Sequence, residues 1–442
     1  MLGILLLAGL LQIPLWLVTD LLEERAERRV AAVTEITESW GRAQRIAGPF
    51  LVVPYKAMET STREVLINGR LVQNSEQREA EKLAVFLPET LKIDGQLDPE
   101  RRHRGIYDAV VYTARLKLSG RFGVPDTAAL GVATERFAWD RAYLAIGVDD
   151  LRGSREALVA DWNGRATECE PGANLPVLWS GVHAPVRGLV AGAAAGDFSL
   201  TFNLNGSGRL GFAPTGRQTE VALRSAWADP SFTGGQLPTR RDLTEGGFEA
   251  LWQASYYGRE YAQQWSDDRG APDRAVLERS VFGVELVEVV DSYRVVERAT
   301  KYAVLFIALL FTAFFLFEVL AALRLHVVHY TLVGAALVLF YLGLLSLSEF
   351  ISFGAAYGVA ALASTLLITC YSAAILRSGA RSLVIGGALG GIYGFLFFVL
   401  QMQDYALIAG TGALFAVLGC VMYATRKLDW GVAAVPPKLP TE

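Results

Sequence analysis

Glu318 is the residue whose setting most needs a chemical explanation. It stands inside an apolar run, about Tyr302–Leu323, and lies six residues, or ~9 Å at the helical rise, from Arg324. A carboxylate at that depth is costly unless it is protonated, hydrated or paired, so it marks a proton or ion path or a substrate contact by default. The plainer role is a structural hydrogen bond or an ion pair to a loop arginine, and that is the expected one. His326 and His329 follow Arg324 at a three-residue step that shares a helix face. Neither Cys nor carboxylate accompanies them at ligand spacing, so an interfacial pair is expected rather than a metal site or relay. Glu349 is expected to be a solvated residue of a short loop. Asp149-Asp150 are expected to be solvated too, although two carboxylates in a turn can hold a cation.

Other motifs carry less. Gly386, Gly387, Gly390 and Gly391 form small-x-x-x-small pairs that let two helices approach closely. Packing within the chain is the expected use, with self-association as the alternative. Ser180 and His183 lack the Gly-x-Ser-x-Gly elbow of a hydrolase. HExxH, Walker A and paired CxxC signatures are absent from the sequence. No cofactor, metal or catalysis is therefore expected.

Positioning these residues requires two kinds of domain. The 442-residue chain is 52% hydrophobic and 19% charged, but the charge is unevenly spread. Lys301–Glu442 holds seven Lys/Arg and five Asp/Glu in 142 residues, whereas Glu23–Thr300 holds 34 and 39 in 278. The second segment has an ordinary soluble density and a net charge of −5, so no nucleic-acid partner is expected. A bilayer core needs roughly 20 apolar residues per helical span. Five runs qualify after residue 300: about Tyr302–Leu323, Tyr330–Leu347, Phe353–Leu376, Leu383–Leu400 and Tyr405–Tyr423. A sixth, Leu2–Val18, reads as a signal anchor. No basic residue precedes it, no small-x-small cleavage site ends it, and helix-compatible residues continue it.

Loop charges orient the spans. Arg324, His326 and His329 form one short link, Arg377 and Arg381 another, and Arg426 and Lys427 follow the last span. The alternate links, around Glu349 and Gln401–Asp404, hold no Lys or Arg. All basic links thus share one side, assigned to the cytoplasm together with both termini. The large domain then lies outside.

Within that domain, 21–47 reads as a helix connecting the first span (1–20) to a β-rich region at 48–300. Phe50–Tyr55 is a buried-type strand, and Tyr107–Phe122 alternates with period two. Ser199–Asn205, Gly208–Phe212 and Thr219–Ala226 read as further strands. Val281–Val290 and Tyr293–Val296 close the domain. The expected fold is antiparallel and sandwich-like, with a lobe boundary near 158–171, followed by a bundle of five spans at 301–425 and a tail at 426–442.

Several segments together resemble the CreD family of bacterial inner-membrane proteins, described as cell-envelope integrity proteins. They include Arg298-Ala299-Thr300-Lys301-Tyr302-Ala303, Phe314-Phe315-Leu316-Phe317-Glu318, Arg324-Leu325-His326 and Leu347-Ser348-Glu349. Leu87-Pro88-Glu89, Gly105-Ile106-Tyr107, Pro230-Ser231-Phe232 and Gly247-Phe248 with Trp252 add to them. The resemblance implies a stress-linked envelope protein without an assigned reaction. Its outer domain is then expected to bind an envelope protein, lipid or cell-wall component beside the lipid bilayer. The alternative is a transporter or channel that uses Glu318 as its coupling group.

Overall fold

The computed structural model describes residues 2–67, 70–153, 156–192, 196–287, 292–320, 326–376, 378–402 and 405–426. The helices are α1 (Leu2–Leu10), α2 (Gln12–Trp40), α3 (Arg274–Arg279), α4 (Ser292–Lys301), α5 (Ala303–Leu320), α6 (Val327–Ser348), α7 (Phe353–Leu376), α8 (Gly379–Gln401) and α9 (Ala406–Thr425). The chain divides into a β unit, Ala31–Val289, and a helical unit made of Met1–Val30 and Val290–Glu442.

The β unit is built from a nine-stranded and an eight-stranded sheet. One buried cluster joins them: Leu51, Leu144 and Phe282 from the first meet Leu116, Phe202 and Trp252 from the second. The nine-stranded sheet is covered on its other face as well, where Phe50, Val52 and Val85 pack with Leu178, Trp265 and Leu277. Burial on both faces explains why Phe50–Val53 is apolar without alternation. Along Thr90–Leu97 the eight-stranded sheet is covered on one face only, so this stretch alternates strictly between outward polar and inward positions.

The structure departs from the sequence reading at four places. The helix expected to reach Ala47 stops at Trp40, because Gln44–Ile46 is drawn into parallel pairing with Leu210–Phe212. Sheet order is mixed rather than antiparallel: Gln218–Ser225 also runs parallel to Thr90–Leu97. Residues 158–171 are no lobe boundary, since Val159–Trp162 and Arg165–Glu168 finish the eight-stranded sheet and Glu170–Pro171 joins the nine-stranded one. Tyr293–Val296 is helical, because Val296, Ala299 and Thr300 recur at helical spacing and are buried.

Among the described residues, four helices are long and apolar enough to cross a membrane: Leu6–Trp40, Val327–Ser348, Phe353–Ile375 and Gly379–Gln401. Ala303–Thr312 and Ile408–Tyr423 are shorter apolar segments. Small residues set the packing. A Cβ on Gly334 would stand 2.2 Å from Leu11 Cδ1, so this glycine admits Leu11 against α6. Phe340 anchors the core, with ring centroids 4.6 Å from Tyr393 and 5.4 Å from Tyr357.

Candidate functional site

The polar groups of the helical unit gather at three levels. At the first, near the start of α6, the Tyr330 hydroxyl donates to Glu318 Oε2 at 2.7 Å. The edges of Phe311 and Phe314 hold the Tyr330 ring, at 5.6 and 6.2 Å. Glu318 therefore has a partner from the neighbouring helix. Arg324, the expected ion-pair partner, lies outside the described residues. His326 caps α6, accepting from the Val328 N–H at 3.4 Å, and His329 Nδ1 lies 2.9 Å from the Tyr371 hydroxyl. The two histidines thus serve different partners. Among the described residues, no group of three or more His, Cys, Asp or Glu could hold a metal ion.

A testable consequence follows from this hydrogen bond. Tyr330→Phe leaves the carboxylate without its donor and should lower stability by about 1–3 kcal/mol, read as thermal unfolding in detergent. Glu318→Gln keeps an oxygen acceptor and should cost less. Equal losses would show that the charge, not the hydrogen bond, is what matters.

The second level lies deeper. The Ser364 hydroxyl is 2.9 Å from the Tyr393 hydroxyl and donates to the Ala336 carbonyl at 3.3 Å, while the Tyr357 hydroxyl donates to the Tyr393 carbonyl at 2.7 Å. Tyr341 is fully buried nearby, and its hydroxyl has no hydrogen-bond partner among the described residues. These bonds tie α6, α7 and α8 together inside an apolar bundle.

The third level is at the far end of α6, ~28 Å from Tyr330 at the helical rise. Here Glu349 is enclosed, not solvated as expected, with its side chain 8% exposed. Its carboxylate pairs with Arg25 at 3.6 Å and accepts from the Tyr293 hydroxyl at 3.1 Å. Arg29 lies 5.7 Å over the Tyr293 ring. One carboxylate thus joins α2, α4 and α6. The sequence reading missed Arg25, Tyr293 and Tyr330. Their only signal was a polar tip at or beside an apolar run.

The remaining candidates resolve individually. Of the four glycines, only Gly386 meets a neighbour, with Thr369 Oγ1 2.7 Å from the place of a Cβ. Among the described residues, Gly387, Gly390 and Gly391 have nothing within 4 Å of that place. Asp149 is taken by Arg45, with nitrogen–oxygen distances of 2.8 and 3.1 Å, and Asp150 by Arg152 at 2.7 Å. Neither carboxylate is the solvated group expected. His183 Nδ1 lies 2.7 Å from the Gly172 carbonyl and beside Asn174, which is no nucleophile–base pair.

These levels coincide with segments that carried the family resemblance, including Phe314–Glu318 and Leu347–Glu349. The profile of the family described as "Inner membrane protein CreD" matches residues 1–431. The chain belongs to the CreD family. It is 33% identical over 434 residues to Inner membrane protein CreD of Escherichia coli (strain K12), covering 97% of this chain and 92% of that one. Membership makes this an inner-membrane protein with several membrane-spanning helices. Among solved structures, an M1 zinc metallopeptidase from Deinococcus radiodurans aligns at 10% identity with a TM-score of 0.20, over 45% of this chain and 42% of that chain. A second structure of an M1 zinc metallopeptidase from that organism aligns at 12% identity and a TM-score of 0.19, over 38% and 39%. Superpositions of that quality establish no shared fold with the CreD chain.

Proposed function

We propose that this chain is a six-span inner-membrane protein with both termini in the cytoplasm and the β unit outside. It acts without catalysis as an envelope-integrity factor, and its β unit binds another envelope component. The observation that carries this reading is the insertion of the β unit, as one continuous segment, between two parts of the helical unit. Its two ends thereby run into membrane-type helices, so the domain works on surfaces near the bilayer. The loop charges support the side: His326 precedes α6 at the basic end, and Glu349 ends it where the short links lack Lys and Arg.

Cysteine labelling tests the placement. Ala166 is exposed on Arg165–Glu168, and Arg381 is exposed in the first turn of α8. Ala166→Cys should react with a membrane-impermeant maleimide in spheroplasts, and Arg381→Cys only after the membrane is opened. Burial pushes the Cys169 thiol up to about 11, so it stays protonated at neutral pH and contributes little background. The reverse labelling pattern would overturn the orientation. Crosslinking from the β unit in native membranes tests the binding role, and capture of nothing but a second copy would count against it.

A further inference from the structure

The outer face of the eight-stranded sheet carries a groove suited to a long polar ligand. Three depressions of about 490, 320 and 450 Å³ follow one another along the strands Thr90–Arg104, Gln218–Ser225 and Gly247–Ser255. The last two share Arg224, Asp242 and Glu249. From Thr90 to Asp98 the run is eight residue steps, ~26 Å at the strand rise. Its floor is low at Ala222, between outward positions held by longer side chains.

The lining chemistry is specific. Three cations and five carboxylates border the groove, together with Gln96, Gln218, Gln253, Thr90 and Ser255. Lys92 and Glu220 pair at 3.3 Å. Arg224 stands opposite Glu249 in register, and Asp94 and Asp242 lie beside them, yet among the described residues these four make no ion pair. They remain available to a ligand. An excess of carboxylates disfavours a polyanion. Leu223 and Ala250 of the lining are buried toward the core, which leaves Ala222 and Leu251 as the half-buried apolar side chains at the centre, a small area beside the apolar core that an interface with a folded protein needs.

Just past one end of the groove the chain carries an aromatic pair. The Tyr256 N–H donates to the Arg217 carbonyl at 3.0 Å, which places this residue just past Gln218 and Ser255. Its ring lies 4.2 Å from that of Tyr257 and is covered by the Arg217 guanidinium at 4.9 Å. Tyr257 is 84% exposed. A large ring kept in water beside a polar groove offers an apolar face with a polar edge. A sugar ring has the complementary form: a C–H face that stacks on an aromatic ring, and hydroxyl and amide groups around its rim for side-chain hydrogen bonds.

We infer that this groove binds a linear glycan strand built of amino sugars. One sugar stacks on Tyr257, and the amide N–H groups of the strand face Asp94, Asp242 and Glu249. The inference rests on the extracytoplasmic placement of the β unit and names the class of envelope component it binds.

The test uses the full-length protein in detergent and measures binding of chitohexaose, a soluble linear N-acetylglucosamine oligomer, by calorimetry and saturation-transfer NMR. The expected result is saturable binding by the wild type. Tyr257→Ala should weaken it about tenfold, Ala222→Arg should abolish it by filling the floor, and Lys56→Ala, on the other sheet, should leave it unchanged. Unfolding temperatures check that each variant is folded. Tyr257 is so exposed that its truncation leaves the core intact, so this variant decides the matter if Ala222→Arg does not fold. Absence of glycan binding by the wild type, unaltered binding by Tyr257→Ala, or saturable binding only of a mixed-charge peptide would overturn the assignment. Those failures would not touch the labelling test, so a wrong ligand and a wrong placement are separable.

Discussion

Trp252→Ala should destabilise the β unit by about 3–5 kcal/mol, the usual cost of emptying a large aromatic site in a core. Trp252 is fully buried and belongs to the eight-stranded sheet. Its ring packs on two phenylalanines of the other sheet, Phe232 at 5.5 Å and Phe282 at 6.0 Å. Removing it opens the join between the layers, where backbone hydrogen bonds keep neighbouring strands from collapsing inward. Trp252→Phe should cost far less. It retains most of the ring contact, and it deletes an indole N–H that is buried without a hydrogen-bond partner among the described residues. Thermal unfolding followed by near-ultraviolet circular dichroism, with limited proteolysis as a second readout, checks both. A Trp252→Ala protein as stable as wild type would mean that the two sheets do not share this core.

Glu349→Ala should cost the helical unit about 1–3 kcal/mol. The upper end of the cost of breaking a buried pair is not expected, because Arg25 is 37% exposed and water screens part of the interaction. Glu349→Gln should fall between, since it still accepts from Tyr293 but no longer balances Arg25. The double variant Arg25→Met with Glu349→Leu discriminates the cause. It leaves no unpaired charge, so it should be more stable than the sum of the single changes implies. Strict additivity would show that Glu349 and Arg25 are neighbours without energetic coupling.

Much of the fold was legible because it depends on short-range pattern. The apolar runs around Tyr330–Leu347, Phe353–Leu376 and Leu383–Leu400 correspond to α6, α7 and α8. Tyr107–Phe122 alternates in sequence and is a strand over that range. The errors came where local pattern was ambiguous or where distant segments intervened. Tyr293–Val296 is too short for its period to be told, and only burial against other helices selects the helical form. Gln44–Ile46 lies next to a good helix, and it leaves that helix because a strand more than 160 residues later offers it a parallel edge. The candidate site shows the same limit. Glu318 was conspicuous as a charge in an apolar run. Glu349 was underrated, because its partners Arg25 and Tyr293 come from other parts of the chain.

The sequence alone determined that an apolar helical part and a charged β-rich part share one chain, and that the chain is of the CreD kind. Hydropathy, alternation and local motifs are properties of neighbouring residues and survive without any knowledge of contacts. Only the tertiary structure decided which polar groups of the helical unit are partnered, which sheet is covered on both faces, and where an outward sheet surface sinks into a groove. Those depend on distances between segments far apart in the chain. Strand order and helix packing set these distances, and no local period encodes them.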